Sequence, residues 1–156
     1  MSFRVGIGVD AHAFTEGVPL VLGGVRFDFP RGLAGHSDGE LITHALIDAV
    51  LGAAGLGDIG SLFPSDGSTP QGISSLDLLQ DAVAQVREAG YSIVNADCVL
   101  IGEEPRIAAR RGELDQTLTS LVGAPVSVRA TTTDRLGFTG RGEGLAAQAV
   151  ALVERA

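Results

Sequence analysis

Three histidines and one early carboxylate carry the chemistry that this sequence can support. Asp10 and His12 are separated by one residue in an alternating segment, so a strand places both side chains on one face, beside positions kept bare by two glycines. A third ligand must come from elsewhere, and the remaining histidines are His36 and His44. One carboxylate and two imidazoles with an open fourth position make the ligand set of a catalytic zinc. A surface Asp–His pair without function is the alternative.

Polar side chains recur at helical spacing around His44. The S-x-x-E pattern at residues 37–40 has the form of a capping box and predicts a helix from about Ser37. Glu40, His44 and Asp48 then share one helical face. Asp48 is a candidate to orient an imidazole by accepting its N–H. A solvated polar stripe is the alternative at this point.

Other segments offer groups that could hold an anion. His36 and Ser37 stand where a helix N-terminus presents free backbone N–H groups to phosphate. Residues 55–60 are glycine-rich, residues 131–134 combine three hydroxyls with a carboxylate, and Arg141 stands among glycines. Each segment also has a plain interpretation as a helix stop, a cap or a turn.

The elements that would position these groups follow from hydrophobic periodicity. The patterns predict strands over 3–9, 19–29 with a turn or bulge at Gly23-Gly24, 93–101 and from Val126 to Thr131. They predict helices from Ser37, over 75–89 and from Pro105 to Gly123, with a loop over 61–74. The segment 144–156 suits either helix or strand. This order predicts an α/β protein with helices against one sheet, whose other face a partner subunit covers.

Composition limits the class of protein. The chain has 156 residues, of which 11 are basic and 19 acidic, and 45% of its residues are hydrophobic. These values predict one folded domain over 1–156 rather than disorder. The net charge of −8 argues against nucleic-acid binding, and no apolar run is long enough to span a membrane. The single Cys98 and an N-terminus unlike a signal peptide predict a cytoplasmic location.

Six ordered motifs together resemble the 2-C-methyl-D-erythritol 2,4-cyclodiphosphate synthase family, over essentially the whole chain. The motifs are GVDAHAF at 8–14, LGGV at 22–25, GHSDG at 35–39, HALIDA at 44–49, GDIGSLFP at 57–64 and ATTTDRLGFTGRGEG at 130–144. The resemblance implies a single α/β (α+β) domain with a mixed four-stranded sheet, helices on one face and the other face buried in a homotrimer. It also makes the C-terminal segment a strand.

The resemblance further implies a phosphorus–oxygen lyase that acts on 4-diphosphocytidyl-2-C-methyl-D-erythritol 2-phosphate. In that reaction the 2-phosphate attacks the β-phosphorus, CMP leaves and a cyclic diphosphate forms. His36 and Thr132 match residues that stabilise the transition state. Asp134 matches the carboxylate for a second cation, Mg²⁺ or Mn²⁺. The positions that match the family's Zn²⁺ ligands are Asp10, His12 and His44.

Substrate contacts carry over position by position. Beyond the residues already named, they are Ser37, Asp58, Ile59, Gly60, Phe63, Pro64, Ser65, Asp66, Gly67, Gly102, Glu103, Glu104, Pro105, Arg106, Ile107, Ala108, Thr131, Thr133, Phe138 and Arg141. Residues 102–108 match a loop that holds cytosine, and active sites lie between subunits. Phe138 and Arg141 match residues that face a central cavity able to hold an isoprenoid diphosphate.

The sequence departs from the family at a few of these positions. Glu40, Ser65 and Asp134 replace Asp, Asp and Glu, while Arg106 and Arg129 replace lysines. These changes bear on the erythritol and second-cation contacts and leave the zinc ligands intact. Two other functions suit the same residues: a zinc hydrolase that activates water, and a trimeric nucleotide- or isoprenoid-binding regulator without turnover.

Overall fold

Seven strands and five α-helices form the chain in a computed structural model, which describes residues 2–35, 40–64, 66–70 and 72–156. The strands are β1 Phe3–Thr15, β2 Leu20–Leu22, β3 Val25–Phe27, β4 Gly32–Leu33, β5 Tyr91–Ile101, β6 Val126–Thr131 and β7 Gly144–Arg155. The helices are α1 Leu41–Ala54, α2 Ile59–Leu62, α3 Ser75–Glu88, α4 Arg111–Val122 and α5 Gly137–Gly140, with a 3₁₀ turn at Ala108–Arg110.

The main sheet is mixed and has the strand order β4-β1-β7-β5-β6. Only β5 and β6 run parallel, and the other pairs are antiparallel. The sheet therefore has five strands rather than the predicted four, because the two residues of β4 pair with Phe14 and Thr15 at the end of β1. Two residues are too few to give a periodic signal in the sequence.

The C-terminal segment is the central strand β7, as the resemblance implied. It pairs with β1 on one side and β5 on the other. Its alternate residues from Leu145 to Val153 are buried under the helix layer, and most of them are alanines. Sheet pairing on both edges outweighs the helix propensity of alanine.

Helix α1 packs on β1 and β7, and its backbone comes very close to that of β1. A Cβ on Gly6 or Gly8 would overlap the carbonyl oxygens of Ala49 and Ala45, so only glycine allows this approach. The face of β1 that the glycines leave without side chains, as predicted from the sequence, is thus the face against which α1 packs. The opposite side of β1 carries exposed apolar residues, which are Phe3, Val5, Ile7 and Val9.

The N-terminus of α1 differs from the predicted capping box. Its N-cap is Glu40, whose carboxylate accepts from the backbone N–H groups of Ile42 and Thr43. The same carboxylate accepts from Gly23 N at 2.7 Å, which ties α1 to the β2–β3 hairpin. Glu40 is almost fully buried, so it does not belong to a solvated stripe. Residues 37–39 lie outside the described part of the chain.

Other predicted elements have mixed outcomes. The Gly23-Gly24 turn is confirmed, because both glycines have positive φ, as a tight hairpin turn requires. The helix over 75–89 is confirmed within one residue. The third helix begins at Arg111 and not at Pro105, since a loop and a 3₁₀ turn intervene. The four-residue helices α2 and α5 were not predicted. None of the helices in the described ranges is long and apolar enough to cross a bilayer.

Candidate active site

Asp10, His12 and His44 converge at one end of the interface between β1 and α1. Asp10 and His12 project from the same face of β1, and His44 is the fourth residue of α1. His12 Nε2 lies 2.8 Å and His44 Nδ1 3.1 Å from Asp10 Oδ2, and the two nitrogens are 3.4 Å apart. The third member of the predicted ligand set is therefore His44.

These three donor atoms fit a divalent metal ion. Ligand atoms of a tetrahedral Zn²⁺, each about 2.0–2.1 Å from the ion, lie about 3.3 Å from one another. The observed separations of 2.8 to 3.4 Å match that spacing, and imidazole and carboxylate are the usual zinc donors of catalytic sites. Asp10 and His12 are partly exposed while His44 is buried, so the site has one open side.

The electrostatics of the three residues are strongly coupled. Burial alone would raise the pKa of Asp10, but hydrogen bonds and charges from His12 and His44 outweigh it and hold that pKa well below its usual range. The hydrogen bond with Asp10 raises the pKa of His12 in turn, against its burial. A bound cation would displace the protons that His12 and His44 share with Asp10, because histidine binds a metal ion as neutral imidazole.

Two polar contacts lie behind this cluster on α1. His44 Nε2 is 2.8 Å from the hydroxyl of Ser75, the first residue of α3. Asp48, predicted to orient an imidazole, makes a different contact: its Oδ1 accepts from Ile59 N at 2.7 Å. Sequence spacing gives no sign of Ser75, because the contact spans 31 positions and depends on where α3 packs.

The turn at residues 58–60 is held by a capping box of its own. Asp58 caps α2 by accepting from Ser61 N at 2.8 Å, and Ser61 Oγ lies 3.1 Å from Asp58 N. These hydrogen bonds lower the pKa of the exposed Asp58 carboxyl. Asp58 and Gly60 are exposed to solvent, near the α1 turn that carries Asp48. Phe63 and Pro64 follow at half-buried positions, while Asp66 and Gly67 are exposed.

A cavity of about 230 Å³ unites two segments that the resemblance assigned to the nucleotide. It lies at the ends of β5 and β6, where loop 102–108 faces the threonines. Arg111, which the sequence did not single out, also lines it and donates from Nε to Val128 O. The lining residues are Gly102, Glu103, Pro105, Arg106, Ile107, Ala108, Arg111, Ala130, Thr131 and Thr132.

The threonine turn is tightly constrained. Asp134 and Arg135 have φ values of 51° and 66°, the left-handed region that side chains rarely adopt. Thr132 Oγ1 lies 3.4 Å from Asp134 Oδ1, and Glu103 accepts from Thr133 N at 3.3 Å. The carboxylate of Glu103 thus joins loop 102–108 to this turn.

A second cavity of about 310 Å³ adjoins the first at Thr132 and is rich in arginine. Arg106 and Arg141 were expected near a ligand, but Arg31 and Arg135 were not. Arg31 stacks on Phe14, with its guanidinium carbon 4.4 Å from the ring centre. Glu104 lines this cavity rather than the first, and Phe138 is 42% exposed and lines neither.

The Asp10–His12–His44 cluster and the cavity of about 230 Å³ stand on different strands of the main sheet. His12 on β1 pairs with Leu145 on β7, whereas Ile101 on β5 pairs with Thr131 on β6. Three inter-strand steps separate β1 from β6, which at about 4.8 Å each amounts to about 14 Å. Three predicted site residues, His36, Ser37 and Ser65, lie outside the described ranges.

Comparison with known proteins gives a consistent result. The YgbB family model matches residues 3–154. The 2-C-methyl-D-erythritol 2,4-cyclodiphosphate synthase of Rubrobacter xylanophilus is 51% identical over 160 residues, which cover 99% of this chain and 96% of that protein. The enzyme of that name from Syntrophobacter fumaroxidans is 52% identical over 153 residues and 96% of each chain.

Solved structures agree with the fold. The Plasmodium falciparum IspF in complex with CDP has a TM-score of 0.85 and 29% identity, covering 99% of this chain and 97% of that one. The bifunctional IspDF of Campylobacter jejuni has a TM-score of 0.95 and 36% identity, and this chain spans 43% of its length.

The sheet, its helix layer and the three-residue cluster define a mixed α/β domain with a candidate divalent-metal centre. The chain belongs to the YgbB family, and the two relatives named above are 2-C-methyl-D-erythritol 2,4-cyclodiphosphate synthases. The family resemblance identified in the sequence is confirmed.

Proposed function

We propose that this chain converts 4-diphosphocytidyl-2-C-methyl-D-erythritol 2-phosphate into 2-C-methyl-D-erythritol 2,4-cyclodiphosphate and CMP. An oxygen of the 2-phosphate forms a bond to the β-phosphorus, and the bond from that phosphorus to the CMP oxygen breaks. Chemically this is a phosphorus–oxygen lyase reaction. The convergence of Asp10, His12 and His44, in a chain half identical to enzymes of this name, carries the proposal.

The chemistry needs charge neutralisation more than proton transfer. Both reacting groups are anionic phosphates, and the attacking one is already largely ionised near neutral pH. Zn²⁺ held by Asp10, His12 and His44 would supply a positive charge at a phosphate oxygen. The depressed pKa of Asp10 keeps its carboxylate ionised for this task. Thr132 and His36 act as donors to the developing charge, as their match to the family suggests.

Substrate positioning falls to the two loops described above. Asp58 offers a carboxylate and Gly60 its backbone groups for the sugar hydroxyls, while Ile59 between them is held by Asp48. Phe63, Pro64, Asp66 and Gly67 follow in the chain as further proposed contacts. Most of loop 102–108 lines, with Thr131 and Thr132, a cavity sized for a nucleobase with its phosphates, and Thr133 follows at its edge. Asp134, next to the Thr132 hydroxyl, would hold the second cation, Mg²⁺ or Mn²⁺. Holding both phosphates in line accounts for much of the rate enhancement.

A homotrimer with active sites between subunits completes this picture. The exposed fractions of Phe3, Val5, Ile7 and Val9 range from 53 to 67%, an apolar sheet face that favours burial against another copy. Association would also bring the Asp10–His12–His44 cluster of one subunit to the nucleotide cavity of the next. Within one chain the two stand on β1 and at the end of β6, strands that are three steps, about 14 Å, apart. Arg141 and Phe138 would face the central cavity and an isoprenoid diphosphate there. The cytoplasmic location stays a prediction.

The decisive experiment is turnover with product identification. The purified, zinc-loaded protein and its His12→Ala variant are incubated with substrate and Mg²⁺. The products are then separated, and mass spectrometry identifies and quantifies them. We expect CMP and the cyclic diphosphate in equal amounts, and nearly complete loss of both metal and turnover in the variant. A linear product would indicate the hydrolase, and binding without turnover would indicate the regulator.

A further inference from the structure

The two ring nitrogens of His44 contact partners on different elements, β1 and α3. Nδ1 faces Asp10 Oδ2 and His12 Nε2, while Nε2 faces Ser75 Oγ at 2.8 Å. The ring of His44 is therefore held from both sides.

The chemistry of imidazole gives the Ser75 contact a direction. A neutral imidazole carries one N–H donor and one acceptor nitrogen. If Nδ1 offers its lone pair to a metal ion, the proton must reside on Nε2, and the neighbouring oxygen must accept it. The Ser75 hydroxyl can accept in this geometry and keeps its own proton for another partner.

Burial makes the contact hard to replace. Ser75 has no exposed surface and His44 is 7% exposed, so bulk water has little access to substitute for the hydroxyl. Ser75 is also fixed in place as the first residue of α3, which packs against α1. The hydroxyl thus stands on a rigid element, as a group that orients a ligand must.

We propose that Ser75 is a positioning residue for the metal centre, which accepts the Nε2–H of His44 and holds the ring with Nδ1 aimed at Asp10 and His12. The inference rests on the proposed function, since it concerns the metal centre of that site. In this role Ser75 acts through the His44 ring rather than as a ligand. Partners of this kind typically contribute 10- to 100-fold to metal affinity.

The test is Zn²⁺ affinity, measured by competition with a chromophoric chelator on the full chain. We expect Ser75→Ala to bind Zn²⁺ about 10- to 100-fold more weakly, and Ser75→Thr, which keeps the hydroxyl, to recover most of the loss. Ser74→Ala is the matched control, because the neighbouring Ser74 makes no side-chain capping bond. Its affinity should equal that of the wild type.

A second measurement does not depend on the variant folding. In the Zn²⁺-loaded wild type, the Nε2 proton of His44 should give a slowly exchanging NMR signal with a nuclear Overhauser contact to the Ser75 Hβ protons. A fast-exchanging proton without that contact would overturn the inference, as would wild-type affinity in Ser75→Ala. If the wild type itself binds no Zn²⁺, the proposed function fails instead, so the two failures are distinguishable.

Discussion

Gly8 lies directly against Ala45, so closely that a Cβ on Gly8 would overlap the Ala45 carbonyl oxygen. This contact sets the separation of β1 from α1. His12 lies four residues beyond Gly8 and His44 is adjacent to Ala45, so the same contact governs the 3.4 Å between the two imidazole nitrogens. The lack of a side chain at Gly8 therefore allows His12 and His44 to come close enough to bind the same ion.

The first prediction tests that link with Gly8→Ala. The added methyl must push α1 outward, and we expect the free energy of unfolding to fall by about 1–3 kcal/mol together with weaker Zn²⁺ binding. Gly112→Ala on α4 is the control, because a Cβ there meets nothing within 4 Å. That variant should keep or gain stability, by at most about 1 kcal/mol. Denaturant unfolding and metal titration measure both, and normal zinc affinity in Gly8→Ala would refute the link.

The second prediction concerns Asp48, which joins α1, the helix that carries His44, to the turn at 58–60. Asp48→Ala removes the acceptor for Ile59 N, and a hydrogen bond to a charged group contributes about 1.5–3 kcal/mol. We expect KM to rise about tenfold or more while bound zinc stays stoichiometric. Asp48→Asn keeps an acceptor oxygen and should change KM much less. Loss of zinc from Asp48→Ala with an unchanged KM would instead support a role at the imidazole.

The third prediction concerns the exposed apolar face. Val5→Asp places a charge on a side chain that is 67% exposed in the single chain, so the folded protomer should tolerate it. We expect sedimentation to show monomers in place of trimers. Turnover should fall with them, because the proposed site combines the cluster on β1 of one subunit with the cavity at the end of β6 of the next, and these two strands are about 14 Å apart within one chain. Val18→Asp, 42% exposed outside the main sheet, is the control and should remain trimeric. A monomeric wild type would contradict the trimer.

The fourth prediction concerns the buried thiol of Cys98. Burial raises its pKa to about 12, so the folded protein keeps the unreactive protonated form. We expect no reaction with a disulfide reagent near pH 8 and complete reaction after unfolding in guanidinium. Because the unfolded thiol ionises near pH 9 and the folded one does not, its contribution to stability declines as pH rises from about 9 toward 12. The stability of Cys98→Ala, measured by unfolding curves, should lack this decline between about pH 9 and 12. Rapid labelling of the native protein would show that the thiol is not buried.

The sequence predicted the elements whose patterns are local. Period-two alternation placed β1, and 3.6-residue spacing placed α1 and α3, because each pattern needs only a few neighbouring residues. Asp10 and His12 were found together for the same reason. The resemblance, which draws on six separate motifs, chose His44 over His36 as the third ligand and made the final segment a strand.

The tertiary structure decided what depends on residues far apart in the chain. The two-residue strand β4, the start of α4 at Arg111, and the contacts His44–Ser75 and Asp48–Ile59 have no local pattern. The sequence by itself determined which groups can do chemistry, since donor atoms belong to residue types. Which of them meet was decided only by packing, because distances of 3 Å between side chains depend on how whole helices and strands lie against one another.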